Sequence, residues 1–162
     1  MTTTHPWILL AEDNANDADL VVRTLTANQP ATHVVLATDG SVALDCLYRR
    51  GPFESRSNGP PAIVLLDLKM PKVDGLEVLQ RIKADHQLKS IPVVMFTSSR
   101  EEQDVVRSYQ LGANAYVVKP VEFRQFVATL QGLCSFWMTV NEPPPDGCRQ
   151  TRSNETQMAT AA

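Results

Sequence analysis

The chain has 162 residues, 43% of them hydrophobic and 20% charged, and 15 Lys+Arg against 18 Asp+Glu give a net charge of −3. That length predicts one domain with a core of ordinary size, and the mild acidity argues against a nucleic-acid or anionic-membrane surface as its main business. The longest apolar runs, Ile63 to Leu66 and Ile91 to Phe96, are too short for a membrane span, and the N-terminus lacks the segments of a signal peptide.

Cys46, Cys134 and Cys148 are an odd number with no metal-ligand spacing, so reduced thiols and a cytoplasmic location are expected. In chain order, strands are predicted at Trp7–Ala11, His33–Ala37, Ala62–Leu66, Pro92–Phe96 and Ala115–Val118, each apolar with little alternation, as in strands covered on both faces. Helical spacing occurs at Asp17–Asn28, then at Leu76–Ala84. Further on, Glu101–Leu111 carries a stripe of Val105, Val106, Tyr109 and Leu111. Phe123–Trp137 carries Phe126, Leu130, Leu133 and Trp137, read mostly as core. Two overlapping capping boxes, Ser98-Ser99-Arg100-Glu101-Glu102, stand before the fourth of the alternating helices. Five alternations of strand and helix predict a doubly wound parallel α/β sheet, with ligands beyond the carboxyl ends of its strands. Gly51–Pro61 reads as a long turn-rich connection. Residues 1–6 form an extension, 7–140 the domain, and 141–162 a proline-containing tail expected to be flexible.

The chemistry lies at the strand ends. Strand one ends in Glu12-Asp13, strand three in Asp67, strand four in Thr97 and strand five in Lys119-Pro120. The alternation brings these side chains to one sheet edge. Three crowded carboxylates raise one another's pKa unless a cation sits among them, and hard oxygen ligands with room for water suit Mg²⁺. A lysine and a hydroxyl beside them complete a site for a phosphoryl group.

The spacings of 54, 30 and 22 residues between Asp13, Asp67, Thr97 and Lys119, with the segment LLDLKMPKVDGLEVL from Leu65 to Leu79, closely resemble the receiver domain of two-component response regulators. The resemblance covers about residues 7–138. It implies a flavodoxin-like fold with strand order 2-1-3-4-5 and a phosphoacceptor signalling protein that catalyses only its own phosphorylation and dephosphorylation. Asp67 would accept the phosphoryl group from a histidine kinase. Asp13, Asp67 and the Lys69 backbone carbonyl would ligate Mg²⁺, with Glu12 acting through water. Thr97 and Lys119 would contact phosphoryl oxygens, the Lys119–Pro120 peptide would be cis, and Thr97 with Tyr116 would form the switch that alters the surface of the fourth helix, fifth strand and fifth helix. Lys69 and Ser99 would flank the path of attacking water. No output domain is read after residue 140, so a stand-alone receiver is expected.

The LCSFW stretch, Ser90-Ile-Pro-Val-Val, and Tyr109 through Ala113-Asn114-Ala115-Tyr116 also resemble single-domain regulators that serve bacterial phytochromes. That resemblance implies a phytochrome-type kinase partner and a homodimer, with Phe136 and Trp137 on its surface. His5, His33 and His86 read as surface residues. An unphosphorylated scaffold is the first alternative. The second, an Asp-nucleophile phosphatase, lacks its DxDxT at Asp67-Leu68-Lys69-Met70-Pro71, and no GxGxxG or P-loop supports nucleotide binding.

Overall fold

The structure, a computed structural model, describes residues 5–145. Most of the expected tail, Cys148 included, and residues 1–4 of the N-terminal extension lie outside the described residues.

Five strands, β1 (Trp7–Ala11), β2 (His33–Ala37), β3 (Ile63–Leu66), β4 (Val93–Thr97) and β5 (Ala115–Val118), form one parallel sheet in the order β2-β1-β3-β4-β5. The helices are α1 (Ala15–Asn28), α2 (Gly40–Tyr48), α3 (Gly75–Ala84), α4 (Glu102–Gln110) and α5 (Phe123–Ser135). A short 3₁₀ turn, Gly51–Phe53, opens the turn-rich connection, and a π-helical turn, Phe136–Val140, extends α5. β1 and β3 are buried along their whole length because both faces of the sheet are covered.

Successive side chains of each strand feed opposite layers, as the pleat requires. Leu9, Ala11, Val64, Leu66 and Met95 pack with α2 and α3, while Ile8, Leu10, Leu65, Val94 and Phe96 pack with α1 and α5. Each fully buried leucine, isoleucine or phenylalanine contributes roughly 1.5–3 kcal/mol. Asn14, Asp39 and Asp74 cap α1, α2 and α3 through their side-chain oxygens, at 3.0 Å, 2.9 Å and 2.9 Å.

Helix α2, the second of the five alternating helices, starts after its cap Asp39. Two expectations change. The stripe predicted for α4 is not a core face: Val106 is 45% and Tyr109 52% exposed, and the helix buries only the small Ser108. The capping boxes before α4 do not form either. That helix starts after Glu101, without a side-chain cap, and Ser99 is used elsewhere. No helix among the described residues is long and apolar enough to cross a membrane.

Candidate functional site

The carboxyl ends of β1, β3, β4 and β5 meet in an open basin of about 780 Å³ lined by Glu12, Asp13, Asp17, Asp67, Lys69, Thr97, Ser99 and Lys119, among others. Backbone bonds that continue the sheet set these residues in place. The Glu12 N–H donates to Ala37 O (3.0 Å), that of Asp67 to Ala11 O (3.0 Å), and that of Lys119 to Thr97 O (2.8 Å). Glu12, Asp67 and Lys119 therefore each leave the backbone one residue beyond a paired strand, and Thr97 is the last residue of β4.

The turn after Asp67 is built around a close approach. The Gly75 N–H donates to Leu68 O at 2.8 Å, and a Cβ at Gly75 would lie 2.1 Å from the Asp67 carbonyl oxygen. Only glycine lets α3 start so near the end of β3. The Leu68 N–H donates to Asp67 Oδ1 at 2.8 Å, which fixes one oxygen of that carboxylate.

Oxygens of Glu12, Asp13 and Asp67 lie within 4.8 Å of one another. Glu12 is 1% exposed and Asp67 is buried, whereas Asp13 is exposed to the basin. Lys119 reaches into this group: Nζ lies 2.6 Å from Glu12 Oε2, 2.9 Å from Asp17 Oδ2 and 3.4 Å from Asp67 Oδ2. Burial pushes the Glu12 carboxyl up to about 7, the Lys119 hydrogen bond opposes this, and the Asp67 charge adds to it. For Lys119, burial alone would favour the neutral amine. The hydrogen bonds to Glu12 and Asp17 and the Asp67 charge outweigh it and hold the ammonium above its ordinary range.

Glu12, Asp13, Asp17, Asp67 and Glu101 line the basin against Lys69, Arg100 and Lys119, so its acids outnumber its cations. The donors are hard oxygens, open on one side, and so they fit a divalent cation that keeps part of its water shell.

Glu12, Asp13, Asp67, Thr97 and Lys119 all line the same basin, as the strand-end reading requires, and Lys69, which the resemblance implies, lines it too. Sequence reasoning placed Asp17 only on a helix. Its backbone N–H donates to Asn14 Oδ1, and the first turn of α1 turns its carboxylate onto Lys119. An acid three residues after a helix cap and four after Asp13 was the available signal.

Thr97 is 2% exposed, and its Oγ1 accepts from the Ser99 N–H at 3.3 Å. Tyr116 is half-buried on β5 and donates its hydroxyl hydrogen to Ser99 O at 3.0 Å. Burial raises its pKa above the ordinary phenol value.

The expected cis peptide is a correction: the Lys119–Pro120 bond is trans, as are all the described peptide bonds. Trans is the cheaper isomer of an X-Pro bond, and Lys119 makes all its contacts to Glu12, Asp17 and Asp67 with it. Phe136 and Trp137 also part company. Phe136 is 46% exposed, whereas Trp137 and Met138 lean on the layer formed by α1 and α5, with the two rings edge to face at 5.0 Å. The π-helical turn swings Trp137 back over the core that was expected to have ended. His5, His33 and His86 are exposed.

The response regulator receiver domain family matches residues 8–131. Among curated relatives, the response regulator Rcp1 of Synechocystis sp. is 41% identical over 138 residues, covering 84% of this chain and 92% of Rcp1. The phosphorylated cyanobacterial phytochrome response regulator RcpA superposes with a TM-score of 0.82 at 37% identity, over 87% of this chain and 99% of that one. A Mn²⁺-bound form of Rcp1 gives 0.80 at 37% identity, covering 86% and 99%. The bacteriophytochrome response regulator AtBRR is 58% identical with a TM-score of 0.68, covering 85% and 98%.

Proposed function

Since the chain belongs to the response regulator receiver family, we propose that Asp67 is the residue that accepts the phosphoryl group in its two-component signalling function. The observation that carries this is the basin itself: Glu12, Asp13 and Asp67 have oxygens within 4.8 Å of one another, the Lys119 ammonium lies among them, and Thr97 lines the same basin.

An Asp67 oxygen attacks the phosphorus of a kinase phosphohistidine. The new P–O bond forms as the P–N bond breaks, and the imidazole keeps the electron pair. The Lys119 ammonium and the Thr97 hydroxyl stand where they neutralise and hydrogen-bond the phosphoryl oxygens. Asp13, Asp67 and the Lys69 carbonyl, with Glu12 through water, would hold a divalent cation, which we take to be Mg²⁺, and when bound it would supply positive charge against those oxygens. The protein catalyses only its own phosphorylation and dephosphorylation. Tyr116, tethered to the loop that carries Ser99, reports the state of Thr97 to the surface of α4, β5 and α5.

The relatives named as phytochrome response regulators support a phytochrome-type histidine kinase as donor. Exposed Val106, Tyr109, Phe123 and Phe136 support a homodimer through α4 and α5. We read the protein as a cytoplasmic receiver.

Beryllofluoride, which imitates the phosphoryl group of an aspartyl phosphate, tests the assignment by fluorine NMR. A bound signal that requires both Mg²⁺ and Asp67 is expected. A bound signal that persists in Asp67→Asn would overturn it.

A further inference from the structure

Ser99 has a hydrogen-bonding position that the acceptor chemistry alone does not require. Its N–H donates to Thr97 Oγ1 (3.3 Å), its carbonyl accepts from the Tyr116 hydroxyl (3.0 Å), and its Oγ accepts from the Glu101 N–H (3.3 Å). The remaining hydrogen of that hydroxyl is donated to Asp104 Oδ2 at 2.5 Å. Ser99 lines the basin; Asp104, in the first turn of α4, does not.

We propose that Asp104 is a positioning residue for phosphoryl transfer, acting through Ser99 to set the direction of the Thr97 hydroxyl. The inference rests on the reading of Asp67 as acceptor. A threonine hydroxyl has one hydrogen and two lone pairs and rotates to suit its partners. With one lone pair taken by the Ser99 N–H, the hydrogen of Thr97 is left to point into the basin, where a phosphoryl oxygen would accept it. The N–H contact is long, so a small rotation of the loop breaks it. The Ser99 hydroxyl bond to Asp104 Oδ2 is the shortest of this set, and it anchors Ser99 against that rotation.

An acid in the first turn of a helix also interacts favourably with the helix dipole, and this gives a purely structural role to exclude. The two roles separate chemically. The dipole needs the charge, which asparagine lacks; the positioning role needs an acceptor for the Ser99 hydroxyl, which asparagine keeps.

The test uses the full chain with saturating Mg²⁺ and acetyl phosphate, reading the rate of phosphoryl incorporation alongside urea unfolding. Asp104→Ala should slow incorporation roughly threefold to tenfold, the loss expected for one orienting hydrogen bond. Asp104→Asn should restore most of the rate. Ser99→Ala should slow it as Asp104→Ala does, and the double variant should be no slower than either single one. Equal slowing by Asp104→Ala and Asp104→Asn, or additive slowing in the double variant, would overturn the proposal. So would an Asp104→Ala rate equal to that of wild type, an outcome that leaves Asp67 as acceptor intact. If wild type takes up no more phosphoryl group than Asp67→Asn, the acceptor reading fails and this inference fails with it.

Discussion

Lys119 Nζ lies 2.6 Å from Glu12 Oε2, across 107 residues of chain, and both side chains are almost wholly buried. Asp17 and Asp67 share the same ammonium. One side chain therefore joins the ends of β1, β3 and β5 to the first turn of α1. It is at once part of the site and part of the fold.

Lys119→Ala leaves three carboxylates without their cation, and breaking a buried pair by removing one partner is costly. Urea unfolding in chelator should show a loss of about 3 kcal/mol. Divalent cation should recover part of that loss by binding the folded state. Unchanged stability in chelator would contradict the shared-ammonium account.

Gly75→Ala forces a Cβ to within 2.1 Å of the Asp67 carbonyl oxygen unless β3 or α3 shifts. A loss of about 2 kcal/mol is expected from this overpacking, together with slower phosphoryl incorporation, because the displaced backbone carries the acceptor. A variant as stable and as reactive as wild type would mean that the approach is relaxed in solution.

Asp39 caps α2 at Val42 and pairs with Lys72 at 3.3 Å. The Val42 N–H and then Lys72 hold its carboxyl below the ordinary value, against the effect of burial. A depressed carboxylate contributes stability that is present above its unfolded pKa of 3.8 and lost as pH falls through the lower folded value. Asp39→Ala should cost about 1 kcal/mol at pH 7, with the gap from wild type closing only in the acid range below 3.8. A gap independent of pH down to full protonation would contradict the assignment.

Trp137 leans on the core while Phe136 faces out. Trp137→Ala should therefore lose about 2 kcal/mol of stability whatever the oligomeric state. Phe136→Ser should stay within about 0.5 kcal/mol of wild type yet sediment as a weaker dimer. Equal sedimentation of Phe136→Ser and wild type would remove this residue from the interface.

The strands β1, β2 and β5 were legible to the residue because their apolar runs are continuous, although of the three only β1 is buried along its whole length. The strand ends then gave five of the basin's polar residues, since a parallel sheet brings its carboxyl ends to one edge. What stayed hidden has three physical causes. Asp17 reaches the site from a helix, so no strand end marks it. The α4 stripe looked like core, but the helix docks through the small Ser108, which leaves Val106 and Tyr109 outward. The isomer at Pro120 depends on the loop's tertiary setting, and the trans bond already delivers the Lys119 ammonium to its three acids.

The most direct measurement of the central claim is intact mass after incubation with acetyl phosphate. Wild type and Asp67→Asn would be compared with Mg²⁺ and with chelator. The account predicts a gain of one phosphoryl group in wild type with Mg²⁺, and none in chelator or in Asp67→Asn. An equal gain in Asp67→Asn would place the acceptor elsewhere, and no gain in any sample would leave the acidic basin as part of an unphosphorylated scaffold.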